Sequence, residues 1–318
     1  MTPALADANN GNWQTAQRWA RMLRKAYRVR VATEWTGGDD DLLIALHARR
    51  SAASVARWKA ARPGAPVIVV LTGTDLYRDI ASDAGAQAAL VAANRLVVLN
   101  ALGANALPMP LRPKVDVVLQ STPARRVLAK SPQLLRALAV GHLRDEKSPR
   151  TLFDAVRLLA ARDDLRVDHV GAALDETLGT EARALMAVCP HYRWLGGLPH
   201  GDARARIQRA HVLVHPSRIE GGAHVVIESI RSGTAVLASR IDGNVGLLGD
   251  DYAGYFPVGD AGALADILVR LRDDPAMLPL LQHQCAARSG AFDPTIEAAA
   301  LKALIARAMP LSSFRARP

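Results

Sequence analysis

The sequence predicts an α/β protein of two Rossmann-like β/α/β domains, on three observations. First, 318 residues exceed what one hydrophobic core ordinarily holds while half of them are apolar, so two cores are the natural division. Second, aromatic residues make up only 4% and Ala, Leu and Val abound, which suits helices on parallel strands better than an all-β sandwich. Third, strand-like and helix-like segments alternate in two series, separated by the polar, basic, proline-punctuated stretch 120–132 (QSTPARRVLAKSP).

In the first series, residues 14–26 carry helical periodicity and 28–33 (RVRVAT) alternate as a strand. A short apolar run at 42–46 precedes His47, and 51–62 reads as a helix closed by Pro63-Gly64. Residues 66–71 (PVIVVL) form the clearest buried parallel strand, ending in Thr72-Gly73-Thr74-Asp75. A helix over 81–93 and a strand over 95–99 follow. One strand is missing. A Rossmann-like half opens with a strand directly before its first glycine-bearing loop, yet few residues precede Asp7-Ala8-Asn9-Asn10-Gly11-Asn12. That strand is either reduced to about 2–5 or encoded upstream, and the second is the expectation adopted.

The second series opens with a strand over 134–140, leading into Gly141 to Lys147 (GHLRDEK), and an amphipathic helix over 149–161. Strand 165–170 ends at Gly171, helix 180–188 follows, and 192–196 is a short strand. Next come helix 202–210, strand 212–214 running into His215-Pro216-Ser217, helix 223–232 stopped by Gly233, and strand 235–238. Helices over 261–271 and 295–309 complete the pattern. The expected divisions are 1–128, 129–294 and a C-terminal helix within 295–318.

Bulk properties narrow the function. The net charge of +10, from 40 Lys and Arg against 30 Asp and Glu, is scattered over helix-like segments rather than gathered in a stripe, which argues against a nucleic-acid partner. Positive charge beside an anion-binding cleft explains it better. Cys189 and Cys285 stand apart with no CxxC pair, so neither a disulfide framework nor a zinc knuckle is expected and a reducing cytoplasm fits. His211 and His215 share one face of a strand, without a Cys or carboxylate to complete a metal set. No run approaches the roughly 20 apolar residues of a membrane span, and no leader pattern opens the chain, so no membrane partner is expected.

The most informative stretch is Glu220-Gly221-Gly222-Ala223-His224, between a strand and a helix. Glycines there let the backbone come close to a ligand, and the amides and dipole of the helix start favour a diphosphate. Glu228, on the second turn, lies far enough along to accept the two hydroxyl protons a ribose presents. A glycine pair before a helix is often only a turn. The weight comes from the order of strand, Pro216-Ser217, Glu220, glycines and Glu228.

These segments resemble the GT-B glycosyltransferases that carry the E-x7-E signature. The family pattern V-G-R-L-x-x-E-K-G stands here as Val140-Gly141-His142-Leu143-Arg144-Asp145-Glu146-Lys147-Ser148, F-L-G as Trp194-Leu195-Gly196, and P-S-x-x-E-G-x-G-x-x-x-x-E as Pro216 to Glu228. The resemblance covers nearly the whole chain and implies two Rossmann-like domains facing a central cleft, the C-terminal helix returning to the first. It implies that Lys147 contacts the diphosphate of a UDP-sugar, and that Glu220, Gly221, Gly222, Ala223 and His224 face sugar and phosphate. Glu228 then binds the ribose, and Leu195 and Gly196 flank the uracil. His142 stands where the family has an arginine, with Arg144 near enough to substitute. In the first half, Gly11, Asn12 and Thr15 occupy the place of the family's glycine loop, and His47 faces the donor sugar. Thr74, Asp75 and Arg78 lie on the acceptor side. The residues implied at the chemistry itself are Lys147, Arg144, Glu220 and His47, although a locally satisfied histidine at a strand end is an equal reading of His47.

Thr72 stands where the family has histidine. Together with P-A-L-A-D-A-N-N-G-N-W-Q-T-A, L-T-G-T-D-L-Y, V-G-H-L-R-D-E-K and H-P-S-R-x-E-G-G-A-H-V-V-I-E, it resembles the bacterial selenosugar synthases of selenoneine biosynthesis. That resemblance implies transfer from a UDP-sugar, typically UDP-N-acetylglucosamine, to selenophosphate, giving a 1-selenosugar. A selenium nucleophile is already anionic near neutral pH, so it needs charge neutralisation rather than a general base. Lys147 and Arg144 would neutralise the departing UDP and Arg78 the acceptor phosphate. No metal or other cofactor is implied, and a homodimer is allowed. The rival readings are a transferase of the same fold acting on a hydroxyl acceptor and a non-catalytic nucleotide or nucleic-acid binder.

Overall fold

Along the strand Val67–Leu71, Val67, Val69 and Leu71 enter one core and Ile68 and Val70 another, so the strand is buried on both faces. It is an interior strand of a parallel sheet in the computed structural model of the chain, which describes residues 1–3 and 11–309. In order, the chain forms α1 (Gly11–Leu23), β1 (Leu43–Leu46), α2 (Ala48–Ala61), β2 (Val67–Leu71), α3 (Thr74–Tyr77), α4 (Ala84–Ala92), β3 (Arg95–Val98) and β4 (Val115–Val117). These four strands pair in the order β1-β2-β3-β4, all parallel. Helices α2 and α4 cover one face through Val55, Trp58, Ala89 and Leu90.

There follow β5 (Leu135–Val140), α5 (Pro149–Leu158), β6 (Leu165–Val170), α6 (Glu176–Val188), β7 (Tyr192–Trp194), α7 (His200–Arg209), β8 (Val212–His215) and α8 (His224–Ile230). Then come β9 (Ala235–Ser239), α9 (Asp242–Leu248), β10 (Tyr255–Phe256), α10 (Ala261–Asp273), α11 (Met277–Arg288) and α12 (Pro294–Ala308). The six later strands make a second parallel sheet, ordered β10-β9-β8-β5-β6-β7. Progress runs outward from β5 through β6 to β7, then jumps back to β8 on the other side of β5. The loops after β5 and β8 therefore part at a topological switch point, the place where open parallel sheets bind ligands. Those loops are Gly141-His142 and Pro216-Ser217.

The described residues group into two compact units. One gathers the described residues within 1–121, 220–222 and 294–309, the other those within 122–219 and 223–293. Helix α12 thus returns to the first unit, where Leu301, Leu304 and Ile305 pack with Trp19 and Leu23 of α1 on the second face of the sheet. Its buried Glu297 accepts hydrogen bonds from Trp19 Nε1 (2.6 Å) and the Ser121 amide (2.9 Å) and pairs with Arg18 (3.0 Å). Both cysteines are buried and free. Among the described residues no helix is long and apolar enough to cross a membrane.

Several sequence expectations need correction. Residues 28–33 do not form a strand, although Val29 and Val31 lean on the core. The period-2 pattern is present, and among the described residues one backbone bond, from the Thr2 amide to the Ala32 carbonyl, ties the segment. Five elements went unread, among them the one-turn helix α3. Strands β4 and β10 are short, α9 carries Gly243 and Gly246, and α11 has Pro279 in its first turn, where the ring is tolerated but the pattern is broken. The proposed strand at 2–5 and the loop residues 7–10 fall on or beside residues 4–10, outside the described residues.

Candidate functional site

In the second unit the chemistry converges on Glu228. The apolar run Val226-Ile227 and Ile230 bury α8, and Glu228 goes under with them, 2% exposed. Its Oε1 receives three groups: His200 Nε2 at 2.6 Å, His224 Nδ1 at 3.3 Å and Arg204 Nη1 at 3.5 Å. Burial alone would raise its pKa. The hydrogen bonds from His200 and His224, with the charge of Arg204, outweigh burial and hold the carboxyl well below the usual carboxylate range. His224 and Glu228 meet because they lie four apart on one helix, and His200 and Arg204 meet the same carboxylate because they lie four apart on α7. Arg204 is buried, and burial lowers its pKa against the opposing charge of Glu228. Its Nη1 donates to Thr122 Oγ1 (2.6 Å) and its Nη2 to the Pro123 carbonyl (3.2 Å).

His200, His224 and Glu228 also bring three metal-type donor atoms within 4.8 Å of one another. The guanidinium of Arg204 on that same Oε1 opposes a further positive charge there.

Lys147 ends a short 3-10 turn, Asp145–Lys147, and its aliphatic chain lies over Gly141: a Cβ at 141 would sit 3.5 Å from Lys147 Cδ. Ser148 in the left-handed region (φ 48°) then turns the chain into Pro149, the first residue of α5. A small cavity beside them is lined by Gly141, Lys147, His169, Pro216 and Ser217. Arg144 is partly exposed, 4.0 Å from Glu146. His142 Nδ1 accepts the Ala172 amide at 3.1 Å, so this imidazole shapes the loop after β6. Leu195 packs on the core beside α7, and Gly196 (φ 66°) takes a left-handed turn after it.

In the first unit His47 sits at the end of β1 with φ 71°, a region a histidine adopts only when its surroundings hold it. They do so through Nδ1, which accepts the Arg50 amide (3.4 Å), and Nε2, 3.2 Å from Thr74 Oγ1. Burial lowers its pKa, against Asp75 and Asp79, whose carboxylates each lie 3.9 Å away. Asp75 is fully buried and accepts the amides of Thr72, Gly73 and Ala48 at 2.8 to 2.9 Å, so its carboxylate shapes the loop between β2 and α3. Thr15 is likewise occupied, by the Gly11 carbonyl (2.8 Å) and the Gln120 amide (2.6 Å), while Asn12 is half-buried in the first turn of α1. Arg78 is exposed and pairs with Asp79 at 3.1 Å.

Glu220–Gly222 group with this unit, and the glycines have a packing reason that the sequence reading did not foresee. A Cβ at Gly221 would lie 2.4 Å from the Thr72 carbonyl, and one at Gly222 would lie 2.7 Å from Leu99 Cβ. Asn100 Nδ2 fixes the turn by donating to the Gly221 carbonyl at 2.7 Å. Ala223 begins the second unit's return and caps α8 without a side-chain bond.

The structure thus brings together His224 with Glu228, Lys147 with Gly141, and His47 with Thr74 and Asp75. Sequence reasoning missed His200, Arg204 and Asp79. An i, i+4 pair of cations at the start of 200–209 was the available signal for the first two, but it reads equally as a solvated helix face.

The description "Glycosyl transferases group 1" fits residues 121–288. No curated protein matches the chain. Among solved structures, Anabaena HepE in complex with UDP and glucose superposes with a TM-score of 0.68 at 16% identity, over 84% of this chain and 78% of that one. HepE in complex with UDP-glucose gives 0.68 at 17%, over 84% and 79%. Sucrose-phosphate synthase from Thermosynechococcus elongatus gives 0.69 at 18%, over 84% and 73%. At such identities the likeness is one of fold, two parallel α/β sheets of the GT-B kind. With more than half of its length matching the family pattern, the chain belongs to the group 1 glycosyl transferases.

Proposed function

We propose that the chain transfers the sugar of a UDP-sugar, UDP-N-acetylglucosamine in the first instance, to selenophosphate. The observation that carries the donor half is Glu228: a buried carboxylate kept ionised beside the switch-point loops, suited to accepting both hydroxyls of a ribose. UDP and UDP-glucose in the HepE complexes of similar fold support the same donor class. In this reading Lys147 and Arg144 neutralise the diphosphate of the departing UDP, with the amides of Gly221, Gly222 and Ala223 and the side chain of His224 near sugar and phosphate. Leu195 and Gly196 flank the uracil, with His142 shaping the loop beside them. Glu220 and His47 lie at the sugar, Gly11 and Asn12 in the glycine loop. Thr15, Thr74 and Arg78 frame the acceptor, Arg78 through its exposed guanidinium, and Asp75 serves that side by holding the loop between β2 and α3.

The acceptor half rests on the motifs, Thr72 in place of histidine above all. Selenium attacks C1 as the bond from C1 to the diphosphate oxygen breaks, and UDP leaves with the electron pair. Hydrolysis of the remaining P–Se bond by water then yields the 1-selenosugar and phosphate. No bound metal takes part, and the enzyme works in the cytoplasm. One observation favours the rival hydroxyl acceptor: burial keeps His47 neutral, the form a general base requires, and Asp75 and Asp79 stand by to stabilise its protonated state.

Incubation with UDP-N-acetylglucosamine and selenophosphate, followed by mass spectrometry, tests the proposal. A selenium-bearing sugar with one UDP released per product is expected, undiminished by EDTA. UDP release only with a sugar-alcohol acceptor would replace the selenium reading by its rival.

A further inference from the structure

The ion cluster around Glu228 is lopsided. His200, His224 and Arg204 all address Oε1, and none of these contacts uses Oε2. The last torsion of a glutamate is broad and nearly two-fold, so an untethered carboxylate offers no fixed edge. Here one oxygen is tethered from two helices. Arg204 is itself held by Thr122 Oγ1 and the Pro123 carbonyl and is buried, so it cannot swing away. His200 makes the shortest of the three contacts from an exposed position, its side chain 51% accessible, just after the loop that follows Leu195-Gly196. Neither residue belongs to the spacing that relates Glu220 to Glu228.

We propose that His200 and Arg204 are positioning residues for nucleotide recognition: they clamp Glu228 by Oε1, so that Oε2 is aimed at the vicinal hydroxyls of the ribose. This inference rests on the reading of Glu228 as the ribose ligand and adds the residues that orient it. A divalent cation held by His200, His224 and Glu228 is the competing use of the same atoms. It is disfavoured because Arg204 is fixed beside the shared oxygen and cannot withdraw its charge.

Calorimetric titration of the full chain with UDP and with 2′-deoxy-UDP tests the clamp, because the ratio of the two affinities reports ribose recognition and not general integrity. The unaltered protein is expected to prefer UDP by about tenfold or more. His200→Ala and Arg204→Lys should reduce that preference to roughly two- or threefold by loosening the carboxylate, while His200→Gln, which keeps an N–H donor, should restore most of it. His200 is exposed, so its substitution leaves the fold intact even where an Arg204 variant is unstable. An unchanged ratio in His200→Ala, with UDP affinity still lost in Glu228→Ala, overturns the clamp alone. Full UDP affinity in Glu228→Ala overturns the ribose reading and the clamp with it. Zinc binding that disappears in His200→Ala and is expelled by UDP would replace the clamp by the metal site.

Discussion

At Gly221 a methyl group would lie 2.4 Å from the carbonyl carbon and oxygen of Thr72 and 2.6 Å from the amide of Gly73. All three are backbone atoms, which cannot rotate aside as a side chain can. Gly221→Ala is therefore expected to lower stability by about 1–3 kcal/mol in urea denaturation, and a change below a few tenths would show that the turn yields easily. The position illustrates how a residue can be read correctly as important and for an incomplete reason. Glycine before a helix signals close approach, but the sequence does not say what approaches, and here it is the loop after β2. Asp75 is similar. A conspicuous Thr-Gly-Thr-Asp suggests ligand contact, whereas three backbone amides take up its carboxylate. Glu228 was legible because its spacing from Glu220 is local, while His200 and Arg204 reach it only through the packing of α7 on α8.

Helix α12 carries the clearest prediction at the level of elements. Glu297, itself buried, joins it to α1 and to Ser121 through a buried indole, a partly buried guanidinium and a buried backbone amide. Glu297→Ala strands those donors and should cost about 3–5 kcal/mol by chemical denaturation. Glu181, on the solvent side of α6, pairs with the exposed Arg150 at 2.7 Å, and its replacement by alanine should cost roughly 0–1 kcal/mol. Equal losses from the two would contradict the role given to burial. Most strands and long helices were legible within a few residues because both-face burial, as in β2 and β9, and helical periodicity are local signals. Segment 28–33 was not, since pairing depends on a neighbour that the period of a sequence does not supply.

For the molecule as a whole, titration sets a direction for stability. His169, enclosed between Tyr192 OH (3.1 Å) and the Gly141 carbonyl (3.3 Å), has its pKa lowered to about 4 by burial, against 6.5 when exposed. The folded state therefore binds fewer protons, so its stability is full above pH 6.5 and declines as pH falls towards 4. At pH 5 the loss from this group is about 2 kcal/mol, and His47 and His211, also lowered mainly by burial, act in the same sense. Glu228, depressed below 4.5, adds a further loss at lower pH. Denaturant midpoints between pH 7 and 5 should fall accordingly, and a folded His169→Gln variant should show a shallower slope; a slope it leaves unaltered would assign the effect elsewhere. The placing of α12 in the first unit has another consequence, for biosynthesis. A ribosome extends the chain at roughly 5–20 residues per second, so the whole second unit is made before Leu301, Leu304 and Ile305 can cover Trp19 and Leu23. The half translated first is the half completed last, and during that delay its apolar face stays bare to water.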